Sequence, residues 1–377
     1  MKVVFGVNNI GLGHAIRSFA IIQYLKNLLK DNIEIIIITG EKGLAKDYFI
    51  SKGIKTYVLP IDAFFVKEMK LDIKKSLLLN IFQSFRLLKI LAKHKEIMKD
   101  ISDADMYISD CSIHLSLMKY LDILNRKKPF ISIYHHVEIL ENKEFLNIIK
   151  ESKDLVEQVK ILSLFYKIIE NISDIIIIPS LSKEYEEYNK KIYVEHPIRK
   201  EIIEAKDKTY KDDYILIILS NMFIKDEEVI SKLLNILKGK ENLKFKLTSK
   251  VKFKTNKNIE ILEPIYNDRK WAEILARSRA IITNSGTNTI SECLFLNKPF
   301  ITIPINNHVE QLYNAWIVKK NNLGIVSKLE KLSKDLSNLM KNITITKRII
   351  KNHPIKGKGA YIIAKILKDI GESKKVL

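Results

Sequence analysis

Residues 282–315 read ITNSGTNTISECLFLNKPFITIPINNHVEQLYNA. The apolar run Ala280–Ile282 ends in the small polar residues Thr283, Asn284, Ser285, Gly286 and Thr287, which suit a loop. A helix follows, with Ser291 and Glu292 in its first turns. A second apolar run follows Pro299 and ends at Pro304, and a polar loop with His308, Glu310 and Gln311 leads into another helix. The order is strand, loop, helix, strand, loop, helix, with the polar residues gathered after the strand ends. In open α/β sheets that edge is where ligands bind. Backbone N–H groups at a helix start attract phosphate without a cationic side chain, and a carboxylate one turn further in can accept from ribose hydroxyls. The layout suits a nucleotide diphosphate.

A second loop of this kind opens the chain. Val3–Val7 is a short apolar run, followed by Asn8-Asn9-Ile10-Gly11-Leu12-Gly13-His14 and an apolar-periodic stretch from Ala15 to Leu29. That predicts a strand, a Gly-rich turn and a helix. Gly11 and Gly13 allow close backbone approach, and His14 stands at the helix start. The dinucleotide fingerprint wants a third glycine where Ile16 stands, and no Gly-Lys-Ser/Thr of a P-loop is present.

The ordered string Gly286-x-x-Thr289-x-x-Glu292, Lys298-Pro299, Ile303-Pro304, Glu310-Gln311-x-x-Asn314-Ala315 resembles the donor-binding half of GT-B glycosyltransferases. It is most like the family-28-like group that contains the peptidoglycan N-acetylglucosaminyltransferase acting on lipid I. Gly11-x-Gly13-His14-x-x-Arg17 resembles the first loop of the same group. The resemblance implies a ribose contact for Glu292. It implies uracil and phosphate contacts for Ser285, Gly286, Thr287, Asn288 and Thr289, and sugar contacts for Glu310 and Gln311. Gly11, Gly13 and Arg17 would form an acceptor or phosphate loop. On this reading Glu292 lies in a cleft, outside the core. The family's glycine-rich turn after the first strand of the second half is replaced by Ser220-Asn221, whose side chains are expected to donate to the diphosphate instead.

Asp110 ends the run Met106–Ser109. It either reaches His14 from a neighbouring strand, as in GT-B enzymes that use a His–Asp pair, or caps the helix that follows. His135 and His136 follow the strand Phe130–Tyr134 and face the same edge, for acceptor contact or loop packing. No His-x-x-x-His or Glu-x-x-His constellation suggests a metal. Asp103-x-Asp105 precedes a strand, so it is not read as a metal motif.

The chain has 377 residues, too many for one typical core and suited to two domains. The expected division is an acceptor-side Rossmann-like domain over 1–195, a nucleotide-sugar domain over 196–355, and a C-terminal helix in 356–377 that returns to the first. Continuous apolar runs predict strands buried on both faces of parallel sheets. Helices are expected over 14–29, 41–52, 76–99, 112–125, 143–171 and 358–371, with a charged linker from Lys200 to Asp213. Cys111 and Cys293 are too few for a disulfide framework and read as reduced thiols. No signal-peptide pattern is seen, and every apolar stretch is broken by Lys or Asp before the roughly 20 residues a span needs. A cytoplasmic setting is expected.

The formal net charge of +20 comes from lysines spread along the chain. No zinc-finger spacing or RNP-type aromatic motif accompanies them, so nucleic acid is not the expected partner. Between Phe64 and Lys99, Leu and Phe at helical spacing stand beside Lys75, Arg86, Lys89, Lys93 and Lys95. This is either a helix on an anionic membrane, giving a peripheral position at the inner face of the cell membrane, or one that packs on the sheet with a basic outer face.

The expected activity is inverting transfer of a sugar from a UDP-sugar to a hydroxyl acceptor. N-acetylglucosamine as the sugar and a lipid-linked acceptor are implied by the resemblance. His14 would act as base with Asp110 behind it, and no cofactor or metal is obligatory. The alternatives are a nucleotide-sugar 2-epimerase of the same fold and a non-enzymatic nucleic-acid-binding protein.

Overall fold

The structure, a computed structural model, describes all residues except 10–11, 42, 61–64, 68–69, 207–213, 220–226, 250, 264–266, 354 and 374–377; for 65–67, 70–82 and 227 it describes the backbone alone. The chain divides into two compact units. The first comprises Met1–Leu146, Val156–Pro197 and Lys358–Leu377; the second comprises Asn147–Leu155 and Ile198–Gly357.

The first unit holds an eight-stranded sheet. Its strands are β1 (Lys2–Val7), β2 (Glu34–Gly40), β3 (Lys55–Leu59), β6 (Met106–Asp110), β7 (Phe130–Ile133), β8 (Ile175–Ser180), β9 (Tyr185–Tyr188) and β10 (Lys191–Glu195). A separate two-stranded hairpin pairs β4 (Phe65–Lys67) with β5 (Lys70–Asp72). The sheet order is β3-β2-β1-β6-β7-β8-β10-β9, parallel except for β9. Helices cover both faces, which is why the central strands read as unbroken Val and Ile. On one face Val4, Ile36, Ile38, Tyr107 and Phe130 share a core with Leu87. Gly6 is required there: a Cβ would come within 2.6 Å of Ser112 Oγ and 2.7 Å of Leu115 Cγ.

The second unit holds a six-stranded parallel sheet made of β11 (Tyr214–Ile218), β12 (Phe245–Thr248), β13 (Ile259–Leu262), β14 (Ser278–Thr283), β15 (Phe300–Thr302) and β16 (Ile325–Val326). Its order is β13-β12-β11-β14-β15-β16. In both sheets the order reverses at one point, between β1 and β6 and between β11 and β14. At such a point neighbouring strands send their crossovers to opposite faces, and a crevice opens at the carboxyl ends.

The helix Gly359–Ser373 belongs to the first unit. The Glu195 carboxylate accepts from the Lys358 backbone N–H just before this helix. Gly359 has no room for a side chain, since a Cβ would lie 2.0 Å from Glu195 O.

Several elements differ from the sequence reading. The helix expected over 76–99 is two, Ile73–Lys93 and Lys95–Ser102, because His94 leaves helical geometry with ψ 83°. The helix expected over 143–171 is also two, Lys143–Ile149 and Lys153–Ile172. Lys200–Lys206 is a helix inside the expected linker; its Ile202 and Ala205 are buried. The edge strand β9 carries Tyr-Glu-Glu-Tyr with all four residues exposed, so no burial pattern betrayed it.

Among the described residues no helix is long and apolar enough to cross a membrane. On Ile73–Lys93, Leu87 and Leu91 are buried, while Phe85 is 69% exposed and Arg86, Lys89 and Lys93 are exposed. Arg86 pairs with Glu41 at 3.1 Å. Leu78 and Phe82 lie outside the described side chains.

Candidate active site

His14 enters at the start of the helix Gly13–Leu28, directly after β1. Asp110 is the last residue of β6, paired in register with Val7 of β1. The two thus meet at the switch point of the first sheet: His14 Nδ1 lies 2.9 Å from Asp110 Oδ1. The helix after β6 is capped by Ser112, whose side chain accepts from Leu115 N. Asp110 is therefore released from capping and turns to His14. Cys111 makes this possible by adopting a left-handed conformation, φ 49°, between the two.

Asp110 is fully buried. Burial alone would raise its carboxyl; the charges of Arg17 and His14, with their hydrogen bonds, outweigh this and hold it well below the usual carboxylate range. Arg17 Nε donates to Oδ2 at 3.1 Å, Arg17 Nη2 donates to Oδ1, and Ser18 Oγ donates to Oδ2 at 2.8 Å. The resemblance groups Arg17 with Gly11 and Gly13 in an acceptor or phosphate loop. Arg17 is instead 3% exposed, because residues three apart share a helix face and the face carrying His14 looks onto Asp110. Its Nη1 lies 3.4 Å from His135 Nδ1. The His14 and His135 ring centroids are 5.8 Å apart, and those of His135 and His136 are 4.0 Å apart with the rings tilted by 35°. Gly13 opens the helix; Gly11 lies outside the described residues.

Cys111, His135 and His136 bring ligand atoms within 4.8 Å of one another, as do His14, Asp110 and Cys111. The guanidinium of Arg17, lying against Asp110, His14 and His135, opposes a second cation in either group.

In the second unit, β14 ends at Thr283 beside Ile218 of β11, again at the switch point. Ser285 is buried, its hydroxyl 2.6 Å from Thr302 Oγ1. Gly286 is the N-cap of the helix Thr287–Phe295 with extended backbone, φ −77°. Among the described residues a Cβ there would meet Asn284 O at 3.7 Å, an ordinary contact. Gly286, Thr287, Asn288 and Thr289 are partly exposed. Ser220 and Asn221, after β11, lie outside the described residues.

Glu292 is 3% exposed, not a cleft surface residue. Arg199 donates to its Oε1 from Nε at 2.8 Å and lies at 2.6 Å through Nη2, while Trp271 Nε1 reaches Oε2 at 3.4 Å. Arg199 Nη1 also holds Asp268 at 3.2 Å. Burial pushes the Glu292 carboxyl up against the pull of Arg199. Gln311 uses Oε1 to accept from Ile305 N at 2.9 Å, which braces the loop after β15. Glu310 is partly exposed one residue earlier.

The sequence profile of glycosyl transferase family 1 matches residues 1–344. The chain belongs to glycosyl transferase family 1. This glycosyltransferase is 25% identical over 369 residues, 94% of its length and 95% of the relative's, to a Pseudothermotoga lettingae protein. That relative is named as the UDP-N-acetylglucosamine–N-acetylmuramyl-(pentapeptide) pyrophosphoryl-undecaprenol N-acetylglucosamine transferase. It is 33% identical over 96 residues to an uncharacterized glycosyltransferase of Methanopyrus kandleri; that match spans 25% of this chain and only 28% of the relative's length. Among solved structures, Phytolacca americana UGT2 in complex with UDP-2fluoro-glucose and pterostilbene aligns with a TM-score of 0.66, over 99% of this chain and 98% of that one, at 12% identity. The two parallel-sheet Rossmann-like units are those of the GT-B glycosyltransferase fold.

The sequence reading of the glycosyltransferase missed Arg199, Asp268 and Trp271, because nothing local marks a partner many positions away. It quoted Asn314 only as part of a motif. In the structure Asn314 Nδ2 donates to Ser285 O at 2.8 Å and Thr287 Oγ1 at 3.1 Å, and so fixes the turn into the helix.

Proposed function

We propose that this glycosyltransferase transfers N-acetylglucosamine from UDP-N-acetylglucosamine to a hydroxyl of a lipid-linked acceptor, with inversion. The observation that carries the chemistry is the 2.9 Å contact of His14 with Asp110 at the switch point of the first sheet. Asp110 accepts the hydrogen bond from Nδ1–H, which keeps that proton in place and leaves Nε2 as the base. As the acceptor oxygen bonds to the anomeric carbon, its proton passes to Nε2. The bond from that carbon to the diphosphate oxygen breaks, and its electron pair leaves with UDP.

The partly exposed Gly286, beside the first amides of Thr287–Phe295, supports diphosphate binding there. Ser220, Asn221, Ser285, Thr287, Asn288 and Thr289 complete the proposed donor loop. Glu292, its carboxylate held by Arg199 and Trp271, backs the ribose side of the loop, and Glu310 and Gln311 contact the sugar. With charge neutralised by amides, the mechanism needs no metal. UDP and N-acetylglucosamine are favoured by the name of the Pseudothermotoga relative. Exposed Phe85 beside Arg86, Lys89 and Lys93 supports a peripheral position on an anionic membrane.

A thermal-shift panel of UDP, UDP-N-acetylglucosamine, UDP-glucose and other nucleoside diphosphate sugars tests the donor. A ligand at about 100 times its Kd stabilises by about 2.7 kcal/mol, and the largest shift is expected from UDP-N-acetylglucosamine. A larger shift from a different donor would replace the sugar. Conversion of the donor without any acceptor would replace transfer by epimerisation.

A further inference from the structure

The reaction read from His14 and Asp110 has an unused neighbour. Arg17 is buried, forks onto Asp110 through Nε and Nη2, and places Nη2 2.9 Å from His14 Nδ1. We propose that Arg17 is a positioning residue of the transfer reaction, one that locks the Asp110 carboxylate so that His14 keeps its proton on Nδ1 and offers a bare Nε2 to the acceptor hydroxyl. This rests on the reading of His14 as the base, and it replaces the role of phosphate ligand that the position of Arg17 in its loop suggests.

Three observations carry it. First, the guanidinium is only 3% exposed and is turned onto protein groups, forking onto Asp110 and reaching His135. A ligand for diphosphate would need its donors turned outward. Second, Asp110 has no exposure of its own, and a lone carboxylate there would share its charge with His14 only. Arg17 supplies the compensating charge from the other side. Third, Ser18 takes the remaining position on Oδ2, so the carboxylate cannot rotate away from the ring. The other titratable groups facing the pair are His135 after β7, Cys111 after β6 and His196 after β10. His196 is kept neutral by burial and by the nearby charges of Arg17 and His135.

A single ring nitrogen cannot both donate to Asp110 and accept from Arg17, and this makes the proposal measurable. In full-length protein labelled with 15N-histidine, the His14 signals are identified by their loss in His14→Gln. At pH 7.5 the wild type is expected to carry the proton on Nδ1 with Nε2 bare. Arg17→Met is expected to place a proton on Nε2 and to lower kcat about ten-fold or more, with UDP affinity within two-fold and partial rescue by Arg17→Lys. A bare Nε2 in Arg17→Met, or a proton on Nε2 already in the wild type, overturns the proposal. So does a ten-fold loss of UDP affinity at unchanged kcat. If Arg17→Met does not fold, the Arg17 Nε–H resonance of the wild type decides: UDP should leave it in place, and a shift on UDP binding makes Arg17 a phosphate ligand. Failure of the wild type to bind UDP at all would count against the donor reading, whereas the histidine spectrum would still test Arg17.

Discussion

Arg199 and Glu292, 93 residues apart, form a buried ion pair: Nε and Nη2 lie 2.8 and 2.6 Å from Oε1, and both side chains are almost wholly excluded from solvent. The pair ties the helix Thr287–Phe295 to the segment after Pro197, and Asp268 joins it from a third element. Glu292 thus has a structural duty besides the proposed one toward ribose.

Removing Glu292 should therefore cost stability. Glu292→Ala leaves the Arg199 guanidinium buried with Asp268 as its remaining carboxylate, and breaking a buried pair from one side costs about 3–5 kcal/mol. Urea unfolding measures this. A variant as stable as wild type would show that the pair does not hold the loop, and its UDP affinity could then be read without correction.

His14→Ala should fold and bind donor nearly as well as wild type while turnover falls about 10²-fold, as for loss of a general base. Asp110→Asn should fall in the same direction by a smaller factor. Wild-type turnover in the His14 variant would place the base elsewhere.

Glu138 gives a pH-dependent term. It is half-buried at the carboxyl edge of the first sheet, accepts from Ser180 Oγ at 2.6 Å, and desolvation pushes its carboxyl up to about 7. The folded chain then holds a proton that the unfolded chain has released, so stability falls as pH rises from about 4.5 through 7. Glu138→Gln, neutral at every pH, should be the more stable protein at pH 8 relative to pH 5, by about 1–3 kcal/mol. Parallel pH curves for the two proteins would remove Glu138 as the cause.

The helix Ile73–Lys93 is tested by flotation. Each basic residue near an anionic surface contributes about 1 kcal/mol at modest salt. Changing Arg86, Lys89 and Lys93 to Glu should release the protein from anionic liposomes and leave UDP binding intact. Wild-type protein that fails to float at low salt would end the membrane proposal.

The α/β class, the alternation of strand and helix, and the strands Val3–Val7 and Met106–Ser109 were legible because parallel strands buried on both faces must be apolar throughout. His14 and Asp110 were legible as candidates because polar residues at strand ends are few. Their pairing was legible only as one of two readings of Asp110; the choice depends on β1 and β6 being neighbours and on Ser112, not Asp110, capping the next helix. The break at His94 was hidden too: a Lys-rich amphipathic pattern runs through it without Gly or Pro.

What the sequence by itself determined is the set of local choices: which runs are strands, where the loops lie, and which polar residues stand at the sheet's carboxyl edge. These follow from periodicity and turn chemistry, which act over a few residues. Only the tertiary structure decided which of those residues are occupied by one another. It turned Arg17 inward onto Asp110 and joined Arg199 to Glu292. Buried charges must find partners, and those partners are chosen by strand order and helix packing, not by nearness along the chain.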